Sequence, residues 1–389
     1  MVLSHIQSPL SPSYPQRKVL ARTEISALSV PVDVLFTLTV ESTEHCGYYG
    51  FMRNPSARVY GIGNTLIDII TSVTDDELAR LGLHKGTMHL TDKRKRLELE
   101  AFLSGRTSVI TPGGDCPNTL ITLHAMGVDT TLAGKIGDDA FGKMYADRLR
   151  IMGVRNELAL SSEPTGSSII LVTPDSERTM NTYLGANRFY SAHDIVLESL
   201  RLSDVFYFTG YMWDTPEQQN AIMTALKETR NRDIIVAFDV ADSFAVGRYR
   251  DTFLRIITDY CDIVFANSEE ARILFNNYDP HECCRSMGKL CRIAIVKDGK
   301  RGSYISRAGK VVRIPVLGSL EPVDTTGAGD IYAAGFLYGL CTGRTTDDSG
   351  EIASFLAGET ISQQGAQFTE EKALRLRTAL EDGSWRPAP

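Results

Sequence analysis

"PVDTTGAGDIYAAGFLYGL", residues 322–340, decides how the rest of the chain is read. Small residues run into an acid, Gly327-Ala328-Gly329-Asp330, and an apolar, helix-like stretch follows at once. The first N–H groups of a helix have no partner inside it, and the helix dipole adds partial positive charge there. Glycines let an anion such as a phosphate come close to those groups. The stretch therefore reads as an anion cradle at a helix mouth. Asp330 stands beside the cradle, and a carboxylate next to a phosphate is unfavourable unless it has a task. Taking the proton of an attacking hydroxyl is such a task. A glycine turn followed by an acidic cap is also an ordinary way to start a helix, so these four residues alone leave both readings open.

The surroundings favour the cradle. From Val59 onward, short apolar runs rich in β-branched residues alternate with helix-like segments. "RVYGIGNTLIDII" (58–70) reads as a strand and a glycine turn, and places Asn64 and Asp68 at the end of the first strand. "NTLITLHAMG" (118–127) and "DDAFGKMYADRLRIMG" (138–153) have helical spacing and close on Gly127 and Gly153. "DVFYFTG", "DIIVAFDV", "DIVFANS" and "RIAIVKDG" are further strand-like runs bounded by turn or polar residues. This alternation predicts an α/β fold, a doubly wound parallel sheet with helices on both faces. In such a sheet ligands sit beyond the C-terminal strand ends, where helices begin.

Residues 1–57 differ: they are rich in Ser and Pro and show no sustained period. We read them as a disordered extension, or as a misassigned start with translation beginning at Met52. The 389 residues carry a net charge of −7, without a Lys/Arg block that would mark a nucleic-acid or membrane surface. No apolar run reaches bilayer length, and "VPVDVLFTLTV" (30–40) lacks a clear cleavage pattern for a signal peptide. Seven cysteines at irregular spacing fit a reducing compartment, so the chain is expected in the cytoplasm. Cys283, Cys284, Cys291 and His281 match no common zinc spacing.

The longer pattern, Asp324-Thr325-Thr326-Gly327-Ala328-Gly329-Asp330 followed by Ala334-Gly335-Phe336-Leu337, resembles the C-terminal signature of ribokinase-like (PfkB) carbohydrate kinases. "TPGGDCPNTLITLHAMGVDTTLAGKIGDDAFG" (111–142) resembles the N-terminal signature, with Gly113, Gly114, Asn118, Gly127 and Gly137 in place. Cys116 and Leu120 depart from the small residues that family prefers. The resemblance covers about 58–380. It implies a ribokinase-like fold with a small β-sheet lid from about 69–111 and 158–187. It further implies that Asp330 is the catalytic base and that the amides of Gly327, Ala328 and Gly329 form the anion hole. Gly113, Gly114 and Asn118 would hold the acceptor. "ANSEE" is similar to an element that helps place magnesium and phosphate, giving Asn267 and Glu270, the latter reaching Mg2+ through water; a helix cap is the competing reading. "VKDGKRGS" would line the ATP site with Asp298, Gly299 and Gly302, unless it is a plain hairpin. Thr326 and Gly365 of "ISQQGA" would also meet ATP. Asp324 would bind a monovalent cation, K+.

The opening "GIGNTLIDI" is more similar to adenosine kinases than to ribokinases or fructokinases, and so are "PTGSSIILVTPDSERTMNTYLGAN" and "FDVADSFAV". By that likeness Asn64 and Asp68 hold a ribose-type acceptor. The expected activity is ATP-dependent phosphorylation of the hydroxymethyl group of a sugar or ribonucleoside. A free-sugar kinase and a non-catalytic nucleoside or sugar sensor are the alternatives. Expected partners are that small molecule and ATP, with no nucleic acid and no membrane, in a monomer or homodimer.

Overall fold

The computed structural model describes residues 57–386, apart from Ser176, Asn231 and 319–321. The extension expected over 1–57 lies outside them but for Ala57, as does the alternative start at Met52.

The described strands are β1 (Arg58–Ile62), β2 (Leu66–Ser72), β3 (Met88–Leu90), β4 (Val109–Gly113), β5 (Asp129–Gly137), β6 (Arg155–Ser161), β7 (Gly166–Val172), β8 (Arg178–Tyr183), β9 (Val205–Thr209), β10 (Ile235–Asp239), β11 (Ile263–Asn267), β12 (Ile293–Lys297), β13 (Ser303–Arg307) and β14 (Lys310–Ile314). They form a nine-stranded sheet, β14-β13-β12-β11-β10-β9-β1-β5-β6, and a five-stranded sheet, β3-β8-β7-β2-β4. In the large sheet the strands from β12 to β6 pair in parallel, and β13 and β14 add an antiparallel hairpin.

Its strands are apolar throughout because both faces are covered. Val205 and Tyr207 of β9 enter one core, Phe206 and Phe208 the other. The rings of Phe206, Phe208 and Phe238 stack at 5.4 and 4.6 Å between centroids. Burying each such side chain contributes roughly 1.5–3 kcal/mol. The helix Ala328–Cys341 is apolar all round and accordingly buried from Ile331 to Cys341. Gly335 and Gly339 let the helix Thr346–Ile361 come close, since a Cβ on either would sit 2.7 Å from Ala353 Cα or 2.5 Å from Ser349 Oγ. Cys283 and Cys284 are core residues of the helix Pro280–Met287, and the Cys284 thiol donates to the carbonyls of Ala294 and Tyr304. Among the described residues no helix is long and apolar enough to cross a membrane.

Two expectations need correction. Asp68 does not end the first strand. β1 stops at Ile62, the chain crosses over at Gly63–Thr65, and Asp68 lies in β2 of the small sheet. Asn187 holds the crossover by accepting from the Thr65 N–H at 2.8 Å and donating to its carbonyl at 2.9 Å. The second lid segment, expected over 158–187, straddles both sheets: β6 is the outer strand of the large sheet, and only β7 and β8 join the small one. The first segment is correspondingly wider, from β2 to β4.

Candidate active site

The parallel strands deliver side chains at their C-terminal ends. β1 leads to Asn64, β9 to Tyr211 and Trp213, β10 to Asp239 and Asp242, β11 to Asn267 and Glu270, and β12 to Lys297 and Asp298. Over these ends stands one face of the small sheet. Its strands alternate, so Leu66 and Asp68, Ser168 and Ile170, and Arg178, Met180 and Thr182 share a face and line one cavity of about 370 Å³. The register agrees: Asp68 is opposite Ser168, and Ser168 opposite Thr182. The floor includes Gly114, Asp115, Asn118, Thr326, Gly327 and Asp330.

The helix mouth at 327–330 has the form the sequence suggests. Gly327 is the N-cap, at φ +73°, a left-handed conformation that disfavours other residues, and no side chain among the described residues caps the helix. The Ala328 N–H turns back to the Thr325 carbonyl at 3.2 Å, so that amide is already engaged. Among the described residues no such bond is made by the amides of Gly327 and Gly329. Lys297 lies behind them, with its Nζ 3.2 Å from where a Gly329 Cβ would be. It pairs with Asp239 at 2.8 Å. Burial works against its charge, but Asp239 and Glu270 outweigh that and raise its pKa.

Asp330 receives the side-chain N–H of Asn118 at 3.0 Å, and Thr119 Oγ1 donates to its carbonyl at 3.1 Å. Gln367 in turn donates to Asn118 Oδ1 at 3.3 Å. Asn118, expected to hold the acceptor, thus orients Asp330 as well as lining the cavity. Burial, then the nearby Asp115, push the Asp330 carboxyl well above the usual carboxylate range. The same two causes push Asp68 up to about 7.

The glycine pair makes room for Asp68 and Asn64. A Cβ on Gly113 would collide with the Asp68 carboxylate. Gly114, at φ +108°, lies against the Asn64 carbonyl. Asn64 is pinned, donating to the Tyr211 carbonyl at 3.1 Å and accepting from Gln218 at 2.9 Å. Asn267 and Glu270 form a full capping box: the Asn267 side chain accepts from Glu270 N–H, and Glu270 accepts from Asn267 Nδ2 at 2.5 Å and its N–H at 2.8 Å. Both Glu270 oxygens are therefore engaged within the cap. Asp298, Gly299 and Gly302 form the turn between β12 and β13, where Arg301 pairs with Asp298. None of these ATP-side residues lines the cavity. Gly365 donates its N–H to Asp324 at 2.7 Å and lines a second cavity beside Asp68, Arg178 and Thr326.

Sequence reasoning missed Asp115, Arg178, Asp239 and Lys297. Alternation in "RTMNTY" could have put Arg178, Met180 and Thr182 on one face, but not said what that face meets. Burial raises three carboxyls to about 7: Asp68 and Asp115 from 3.8, and Glu270 from 4.5. Between those ordinary values and 7 the folded chain binds more protons than the unfolded one, so stability falls as pH rises through that window. Thermal unfolding without ATP is expected to give a higher Tm at pH 6 than at pH 8; a rise instead would mean that partners stabilise the charged forms.

Fold and site define a class, a phosphotransferase with an alcohol group as acceptor. The chain belongs to the pfkB family of carbohydrate kinases, whose sequence pattern matches residues 87–373. It is 34% identical to the adenosine kinase from Sinorhizobium meliloti, over 84% of this chain and 99% of that one, with a TM-score of 0.77. A probable sugar kinase from Rhizobium etli CFN 42 is 31% identical, over 85% and 99%, with a TM-score of 0.77. The adenosine kinase of Saccharomyces cerevisiae is 23% identical over 80% of this chain and 96% of the yeast enzyme. The chain is thus a sugar or nucleoside kinase with ATP as co-substrate.

Proposed function

We propose that the acceptor is a neutral ribonucleoside, adenosine first, phosphorylated on its exocyclic hydroxymethyl group. The observation that carries this reading is the large apolar and aromatic share of the cavity lining. Beside Asp68 and Asp330 the cavity is lined by Leu66, Met88, Leu90, Ile170, Met180, Leu184 and the aromatic Tyr211, Trp213 and Tyr249. A free pentose has nothing to place against such walls, whereas a base does. Asp68 accepts from ribose hydroxyls. Asp330 takes the proton of the hydroxymethyl group as its oxygen attacks the γ-phosphoryl group of ATP in line. The amides of Gly327 and Gly329, with Lys297 behind them, stabilise the charge on the transferring group. The small sheet acts as a lid and excludes water, which would otherwise consume ATP.

Among the described residues Asp239 Oδ1 is buried with no hydrogen-bond partner, which fits a polar ligand such as magnesium-bound water. Asp239 and, through water, Glu270 would hold magnesium, which when bound offsets phosphate charge. The acceptor itself is uncharged in this reading. The two cavity arginines already have carboxylate partners, Arg178 in Asp324 and Arg248 in Asp214, so an anionic acceptor finds neither of them uncommitted. ADP release with magnesium-ATP tests this against adenosine, inosine, guanosine, ribose, fructose and fructose 6-phosphate. Adenosine is expected to exceed ribose and fructose in kcat/KM by at least about 100-fold, the scale of one well-filled apolar subsite. The phosphosugar is expected to be inert. A free or phosphorylated sugar as the best acceptor would overturn the assignment.

A further inference from the structure

The site expected to hold a monovalent cation is taken by the protein itself. The Asp324 carboxylate is 2% exposed, and both its oxygens have donors. Oδ1 accepts from the Thr326 N–H at 2.9 Å. Oδ2 accepts from the Gly365 N–H at 2.7 Å and from Arg178 Nη2 at 2.5 Å. The other guanidinium nitrogen, Nη1, donates to Thr326 Oγ1 at 2.7 Å. K+ binds through several oxygens gathered round one point, and here the carboxylate and the neighbouring hydroxyl already face a fixed cation. With Arg178 in place, these residues do not fit an added monovalent ion.

We propose that Arg178 is a tethered replacement for that ion, carried to the phosphate loop by strand β8 of the lid. The need for a positive charge at this point is electrostatic. Asp324 lies three residues before the Gly327 cap, and an uncompensated buried carboxylate there would repel an incoming phosphate and leave its own burial unbalanced. A guanidinium meets the need well. It stays charged at any working pH, and its planar fork engages Asp324 and Thr326 together. The link also has a mechanical consequence. Asp324 and Thr326 belong to the loop that ends in the anion-binding amides, and Arg178 belongs to the sheet that roofs the acceptor cavity. Seating the lid therefore completes the charge balance of the loop, which a diffusible ion would do whether the lid was seated or not. Arg178 is here a positioning residue, and this inference rests on reading 324–330 as the phosphate loop.

The test uses the full chain without acceptor, so that a wrong acceptor assignment leaves it untouched. Tm and ADP affinity are measured in potassium chloride and in tetramethylammonium chloride at matched ionic strength. The unaltered protein is expected to give the same Tm and the same Kd in both salts. Arg178→Ala is expected to unfold at lower temperature and to bind ADP about tenfold more weakly in tetramethylammonium, a change within the usual range of coupling between sites. Potassium is expected to restore most of both losses. Arg178→Lys, which keeps a charge but not the fork, is expected to stay indifferent to potassium and serves if the alanine variant does not fold. A potassium-dependent rise in Tm or ADP affinity in the unaltered protein would overturn the proposal, because an ion would then bind alongside Arg178. An Arg178→Ala variant that folds but ignores potassium would overturn it equally, since Asp324 would then be no cation position.

Discussion

Replacing Asp330 by Asn is expected to lower kcat by about 10³- to 10⁴-fold, the upper part of the range for a positioned general base, while KM for ATP and acceptor changes only a few-fold. The carboxamide has the size of the carboxylate and can still accept from Asn118, which donates to Asp330 at 3.0 Å. What it cannot do is take the hydroxyl proton. Stability gives an independent check. Asp330 is held above its ordinary pKa by burial and by Asp115, so the charged form is strained in the folded chain. Removing that charge should leave Tm unchanged or raise it. A variant that loses activity together with many degrees of Tm would be reporting a damaged fold. A well-folded variant within tenfold of the original kcat would remove Asp330 from the role of base.

Replacing Asp68 by Asn is expected to act on the acceptor alone. A hydrogen bond to a charged group contributes about 1.5–3 kcal/mol. Two ribose hydroxyls on one carboxylate thus predict a loss of about 10²- to 10⁴-fold in kcat/KM for the nucleoside. KM for ATP should not move. Removing the 2′-hydroxyl from the acceptor sharpens the test, because the two changes delete the same contact. The deoxy acceptor should be much poorer than the ribonucleoside with the unaltered protein and nearly equal to it with Asp68→Asn. Equal penalties in both proteins would mean that Asp68 and that hydroxyl do not meet. The position is constrained on its other side too, since Gly113 has no room for a Cβ beside the Asp68 carboxylate.

Much of this was readable before any coordinates. The helix mouth at Gly327–Asp330 announced itself because its chemistry is local: a glycine that must adopt positive φ, amides without partners and an acid within four residues. The parallel sheet was readable because strands buried on both faces leave continuous apolar runs. The crossover at Gly63–Thr65 was not. "RVYGIGNTLIDII" is apolar on both sides of the turn, and periodicity alone does not say that Leu66 begins a different sheet. Residue roles blurred for the same reason. Asn118 carries a signature position, yet its bond to Asp330 spans 212 residues of sequence and no local pattern encodes it. The capping box of Asn267 and Glu270 was visible as a competing reading, and the structure shows its hydrogen bonds in full.

The sequence by itself determined the fold class, the family likeness and the place of the glycine-capped helix mouth, because each rests on short-range spacing and on the period of apolar residues. Only the tertiary structure decided which face of the small sheet looks into the cavity, that Asp115 raises the pKa of Asp68 and Asp330, and that Arg178 neutralises Asp324. Those are interactions between charges far apart along the chain. Their strength depends on distance and burial, and both exist only once the two sheets have come together.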